Sequence, residues 1–139
     1  MIRVAVDFDG TIVENDYPQL GKPMLFAFET LKELQKRGFT LILWTIRTGK
    51  LLDEAVEFCR QNGVEFYAIN QNHPEEVFDA SLPRKIEVDV FIDDRNLGGF
   101  PGWEKVFSML CPNEPYELSQ KKVLKMYKRK GFLRRILGI

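Results

Sequence analysis

Histidine occurs once in this 139-residue chain, at His73, and cysteine only twice, at Cys59 and Cys111. With no CxxC pair and no Cys/His cluster, the ligand count argues against a zinc site or a redox dithiol. Both thiols read as reduced, Cys59 on the apolar side of an expected helix. His73 sits before Pro74 with nothing adjacent to orient it for catalysis. No apolar run approaches the roughly 20 residues of a membrane-spanning helix. The N-terminus enters a strand at once through Ile2, without a hydrophobic leader or cleavage site. The expectation is a soluble, cytoplasmic protein with no membrane partner. Net charge is lacking too, since 20 basic residues cancel 20 acidic ones. The average therefore implies no nucleic-acid partner. Internal repeats, low-complexity tracts and an interdomain linker are also missing.

What is present is ample apolar material, 45% hydrophobic and 12% aromatic residues. That is enough to pack one domain over residues 1–139. The balanced charge hides an asymmetry. Residues 121–139 hold Lys121, Lys122, Lys125, Lys128, Arg129, Lys130, Arg134 and Arg135 and no acid. The rest of the chain is correspondingly acidic. Apolar residues alternate with these basics, so 121–139 reads as a basic helical segment. Packing on the acidic body or a homo-oligomer contact is the favoured reading, ahead of an anionic surface.

Periodicity supplies the element order. Residues 2–8 read as a buried strand, and 10–22 as a turn-rich loop or small flap. Pro23 suits a helix N-terminus, and that helix carries Phe26, Phe28, Leu31 and Leu34 before closing at Lys36-Arg37-Gly38. Residues 39–45 are apolar throughout, as in a parallel strand covered on both faces. Thr48-Gly49 opens a second helix that closes at Asn62-Gly63. Residues 64–70 form a third strand, 71–84 a polar connection and 88–92 a fourth strand. A helix from Trp103 to about Leu110 follows. Strands alternating with helices predict a three-layer α/β domain with a parallel sheet.

Such sheets bind ligands at the carboxyl ends of their strands. That rim carries Asp7 and Asp9 after the first strand, Thr45 and Arg47 after the second, Asn70 and Asn72 after the third, and Asp93, Asp94 and Arg95 after the fourth. Asp7, Asp9 and Asp93 would crowd negative charge, which calls for a cation; Mg²⁺ held by carboxylates and water is the usual solution. Thr45 offers a hydroxyl to a phosphate oxygen, Arg47 or Arg95 a bidentate grip, and Lys85 a further positive charge. Asn70 and Asn72 either hold turns or touch ligand.

Four of these features occur in the order of known motifs. Asp7-Phe8-Asp9-Gly10-Thr11 matches DxDG[TV]; Leu41-Ile42-Leu43-Trp44-Thr45 is an apolar strand ending in Thr; Lys85 stands ahead of the last strand; Phe91-Ile92-Asp93-Asp94 ends in paired acids. Over residues 2–98 the chain thus resembles the haloacid dehalogenase (HAD) superfamily of aspartate-nucleophile phosphotransferases. The resemblance implies a Rossmann-like HAD fold. The gaps at 10–22 and 71–84 are too short for the inserted cap domain that many members carry, so no cap is expected.

The resemblance also implies roles. Asp7 is the nucleophile that becomes an aspartyl phosphate, and Asp9 the general acid and base. Thr45 binds the transferring phosphoryl group, while Lys85 orients the nucleophile. Mg²⁺ is held by Asp7, the Asp9 backbone carbonyl and Asp93, with Asp94 close by or acting through water. Dehalogenases of the superfamily lack the second Asp, so the expected activity is a Mg²⁺-dependent phosphatase on a phosphorylated substrate of unknown type. Alternatives are a phosphotransferase of the same superfamily and a non-catalytic, receiver-like phosphoryl-binding module. A receiver places its phosphorylated Asp on the third strand, where this chain has Asn70.

Overall fold

Val4, Ala5 and Val6 are each at most 1% exposed, and a strand apolar on both faces needs cover on both. The computed structural model describes residues 1–114 and Lys128, and supplies that cover within the first of two units, Met1–Pro101 and Gly102–Ile139. The first unit runs β1 (Arg3–Val6), α1 (Ala27–Lys36), β2 (Thr40–Leu43), α2 (Gly49–Gln61), β3 (Ala68–Ile69) and β4 (Val90–Ile92). The second contributes α3 (Trp103–Leu110). The strands form a four-stranded parallel sheet in the order β3-β2-β1-β4. Val6 lies opposite Leu43 on one side and Ile92 on the other. This is a Rossmann-like α/β fold.

Side chains alternate between the faces. Phe8 follows the Val4/Val6 face, and the Phe58 ring of α2 meets it edge-on at 6.5 Å. Phe58 also meets Phe28 of α1 at 5.8 Å, so both helices lie on that face. α1 buries Phe28, Leu31 and Leu34, with Glu29 in its first turn and Lys36 in its last, the order that suits the helix dipole. It stops at Gly38, whose φ of 87° a side chain rarely adopts. Burial pushes the Cys59 thiol of α2 up to about 12, in keeping with an inert, reduced core thiol. On the opposite face Ala5, Ile42 and Ala68 form a cluster with Ile86, flanked by Trp44, Val88 and Phe91. Ile86 and Val88 come from the connection between β3 and β4, so irregular chain forms the third layer.

The elements differ from the sequence expectation at their ends. α1 begins at Ala27, four residues after Pro23, because Pro23 bridges Val13 and the Met24 N–H bonds the Ile12 carbonyl. Phe26 then turns the chain with a φ of 66°. β3 is two residues rather than seven. The basic segment 121–139 lies outside the described residues, apart from Lys128. Among the described residues no helix is long and apolar enough to cross a membrane.

Three backbone bonds carry the ladder past the strand ends: Asp7 N–H to Ile92 O at 2.9 Å, Trp44 N–H to Val6 O at 2.8 Å, and Asn70 N–H to Leu43 O at 2.8 Å. They bring the carboxyl ends of all four strands to one rim.

Candidate active site

The chain leaves β1 through a tight turn in which the Phe8 carbonyl accepts from the N–H groups of Thr11, Ile12 and Val13. Gly10 takes φ 83°, and a Cβ placed there would overlap the Asp94 carboxylate. Glycine is thus needed for conformation and for close approach. Thr11, fully buried, ties the ends of β1 and β4 together. Its hydroxyl donates to Asp7 Oδ2 at 3.1 Å and accepts from the Asp94 N–H at 3.1 Å.

The turn assembles acids. One carboxylate oxygen from each of Asp7, Asp93 and Asp94 lies within 4.8 Å of the others. Asp94 Oδ1 is buried without a hydrogen-bond partner among the described residues. Asp7 is pushed up to about 7, by burial first, then by the Asp94 carboxyl in hydrogen-bonding reach and the charge of Asp93; the Thr11 bond opposes this. An orphaned carboxylate oxygen beside two like charges fits a bound cation. An all-oxygen donor set suits a hard ion such as Mg²⁺ and not zinc. Asp9, expected to reach the ion through its backbone carbonyl, contributes no carboxylate to this cluster, its side chain being committed elsewhere.

That commitment is to Arg47. Sequence reading placed Arg47 at the substrate; the structure places it in the core, with 0% of its side chain exposed and Asp9 at 10%. Nε and Nη2 grip Asp9 Oδ2 and Oδ1 at 2.8 and 2.7 Å. The remaining N–H groups reach the carbonyls of Pro18 at 3.1 Å, Gln19 at 2.8 Å and Leu51 at 3.4 Å. A guanidinium has five donors, so none is left for a ligand. Its Cζ lies over the Phe8 ring and over the Tyr17 ring, 5.1 and 5.3 Å from their centroids. Arg47 therefore joins Asp9, the flap and the start of α2.

The other expected residues sort by where they lie. A cavity of about 420 Å³ is lined by Asp7, Asp9, Thr45, Asp93 and Arg95, a size within the range of about 300–1,000 Å³ common for small-molecule sites. Thr45 is held by its N–H to Asn70 Oδ1 at 2.8 Å, while its Oγ1 accepts from the Arg47 N–H at 3.1 Å. Arg95 donates its backbone N–H to Asp93 Oδ1 at 2.9 Å. Lys85 does not line this cavity; its ammonium lies over the Phe91 ring, 5.6 Å from the centroid. Asn72 holds a turn, bonding Glu76 through its N–H and amide and accepting from the Glu87 N–H. Sequence reading missed Asn15, Tyr17, Trp44 and Ile46 as cavity walls. An aromatic inside the turn-rich stretch was the available sign for Tyr17. It also gave Thr11 no role beyond its place in the motif.

Fold and site together define an α/β protein with an acidic, cation-suited pocket at the rim of a parallel sheet. No protein-family model matches the chain, and no curated protein does. A solved structure, described as that of a conserved protein from Bacteroides thetaiotaomicron, superposes with a TM-score of 0.76. The two are 50% identical over 84% of this chain and 94% of that one. The chain belongs to the same family as that protein.

Two outcomes test this geometry. Arg47→Ala leaves Asp9 buried without its partner, and chemical denaturation should show a loss of about 3–5 kcal/mol; adding Asp9→Asn should recover part of it. The second concerns Asp7, pushed up to about 7 in the fold from the ordinary carboxylate value of 3.8. A raised acid stabilises the fold fully below the unfolded value and loses that contribution as pH rises through the folded one. In chelator, Tm should fall between pH ~4 and ~7 more steeply for wild type than for Asp7→Asn. Millimolar Mg²⁺ should raise Tm more at the upper end of that window.

Proposed function

We propose that this chain is a Mg²⁺-dependent phosphate monoester hydrolase of the HAD type, acting through an aspartyl phosphate on Asp7. The observation that carries the reading is that Asp7 and Asp9 share one cavity, while Asp7 also belongs to an acid cluster fitted to a hard cation. Asp7, Asp93 and Asp94 would hold the ion, with the Asp9 backbone carbonyl. When bound, it would neutralise the acid cluster and the negative charge of the phosphoryl group.

The residues divide the chemistry. A carboxylate oxygen of Asp7 attacks phosphorus as the bond to the ester oxygen breaks, and Asp9, which must first take up a proton on an oxygen released from Arg47, gives that proton to the ester oxygen. Asp9 then takes a proton from water, whose oxygen attacks phosphorus; phosphate leaves and Asp7 is restored. Thr11 fixes the Asp7 carboxylate through its hydroxyl. Arg47 acts as a positioning residue, setting the Asp9 rotamer with a bidentate pair. Thr45 and Arg95 face the cavity where the phosphoryl oxygens would lie. Lys85, over Phe91 and off the cavity wall, adds positive potential near β4. No helix or strand occurs in residues 70–89, and in this reading Asn15 and Tyr17 of the flap shelter the site.

Asp7→Asn should keep the fold and lower turnover by a factor on the order of 10³ or more. Asp9→Asn, given an activated aryl phosphate that needs little protonation, should accumulate a phosphoryl adduct on Asp7. Acid-quenched mass spectrometry reads it. An adduct on another residue, or undiminished turnover by Asp7→Asn with deamidation excluded, overturns the reading.

A further inference from the structure

The catalytic cavity does not end at Thr45. Trp44 and Thr45 also line a second cavity of about 530 Å³, formed largely by the connection between β3 and β4. Composition suggested that this connection is polar. In the structure Val77 is 82% exposed, Phe78 75% and Leu82 54%. All three line the second cavity, together with Trp44, Pro83 and Ile86. Ile86 is buried in the core cluster beneath the sheet, and Trp44 packs on that cluster, so the floor is fixed while the upper wall is open.

Several polar side chains of this wall spend part of their hydrogen-bonding capacity within the protein. Asn70 Oδ1 accepts from the Thr45 N–H, and Gln71 Nε2 donates to the Pro74 carbonyl at 2.9 Å. Both Glu76 oxygens take N–H groups of Asn72. Asp79 Oδ1 accepts from the N–H and hydroxyl of Ser81. The exception is Arg84, whose guanidinium lies over the Phe78 ring at 6.0 Å and pairs with no carboxylate among the described residues. A ligand rich in hydroxyls would compete for groups partly used by these bonds and would set its polar surface against Val77, Phe78 and Leu82. A flat apolar ligand would cover Val77, Phe78 and Leu82 and stack against aromatic surface.

We propose that this second cavity is the leaving-group site. It would select phosphate esters of alcohols with an aromatic or similarly flat apolar body, and Arg84 would meet an acceptor or anionic group on it. The assignment rests on the phosphatase reading for its connection to Asp7, and on the cleft's own lining for the class of ligand. The shared wall of Trp44 and Thr45 orders the substrate, phosphoryl group toward Asp7 and body toward Phe78. Polyhydroxylated sugar phosphates are the class it disfavours.

The test compares 2-naphthylmethyl phosphate, ethyl phosphate and glucose 6-phosphate, three esters of alcohols, so that leaving-group reactivity does not set the ranking. With Mg²⁺, wild type should show kcat/KM at least about tenfold higher for the naphthylmethyl ester than for either of the others. In Phe78→Ala/Leu82→Ala that ratio should collapse, chiefly through KM. Saturable binding of 2-naphthylmethanol to wild type by calorimetry, weakened at least about tenfold in the double variant, reads the cleft without any chemistry. If all three esters are hydrolysed with no preference, or the double variant keeps the preference, the leaving-group site is wrong while the phosphatase reading stands. If no ester is hydrolysed, the phosphatase reading fails. In that case naphthylmethanol binding that depends on Phe78 and Leu82 upholds the cleft as an aromatic site, and absence of binding overturns it.

Discussion

Mutual repulsion among Asp7, Asp93 and Asp94 is the constraint around which the rim of this sheet is built. Parallel pairing puts Val6 opposite Ile92, so the next residues of both strands must emerge side by side, and in this chain they are acids. The fold holds them there. The Asp7 N–H bonds Ile92 O, Thr11 clasps Asp7 to the Asp94 backbone, and Gly10 leaves the space that the Asp94 carboxylate fills. Burial and like charge raise Asp7 toward neutrality, a cost a structural role alone would not require. Crowding of this kind, maintained by three separate devices, is what a site for a cation and a charged substrate needs.

Asp9, two residues from Asp7, is treated differently. It is taken out of the repulsive cluster and neutralised by Arg47, so the two aspartates of one motif have separate environments. A burial this complete costs desolvation that a single ion pair does not recover. Arg47 offsets it by donating to three backbone carbonyls and by its contacts over two aromatic rings. Two of those carbonyls belong to the flap, so the arginine that orients Asp9 also fixes the segment that places Tyr17 on the cavity wall. Site geometry and flap position are one structural fact.

Much of this was legible in the sequence, and the reason is period and punctuation. Runs such as Leu41-Ile42-Leu43 declare a strand covered on both faces, and Gly38 and Gly63 mark helix ends through their conformational freedom. The acids at 7, 93 and 94 follow strands directly, and strand ends converge whatever the details. Arg47 was misread for a physical reason. A charged residue beside a presumed phosphate site looks like a ligand grip, and only the fold shows that Asp9 and three carbonyls occupy all its donors. Lys85 shows the complementary limit, since its distance in sequence from β4 says nothing about which way its ammonium reaches. The connection at 71–84 looked polar because eight of its fourteen residues are polar or charged; in the structure Asn72 bonds Glu76 and Ser81 bonds Asp79, while Val77, Phe78 and Leu82 stand exposed.

That exposed apolar surface bears on how the proposed reaction would choose its substrate. In the proposed reaction the acids, Thr45 and Arg95 recognise only the phosphoryl end, which every phosphate ester shares, and therefore cannot discriminate among substrates. Discrimination has to come from whatever touches the leaving group. The flap offers Tyr17 and Asn15 on one side, and the β3–β4 connection offers a larger apolar wall on the other. Both are irregular chain anchored at the sheet rim, the flap by Arg47 and the connection by Asn72 and Ile86. Under that proposal an acidic floor with two loop walls would keep the chemistry constant while loop residues set specificity, and the apolar wall would place that choice on Phe78, Leu82 and Arg84.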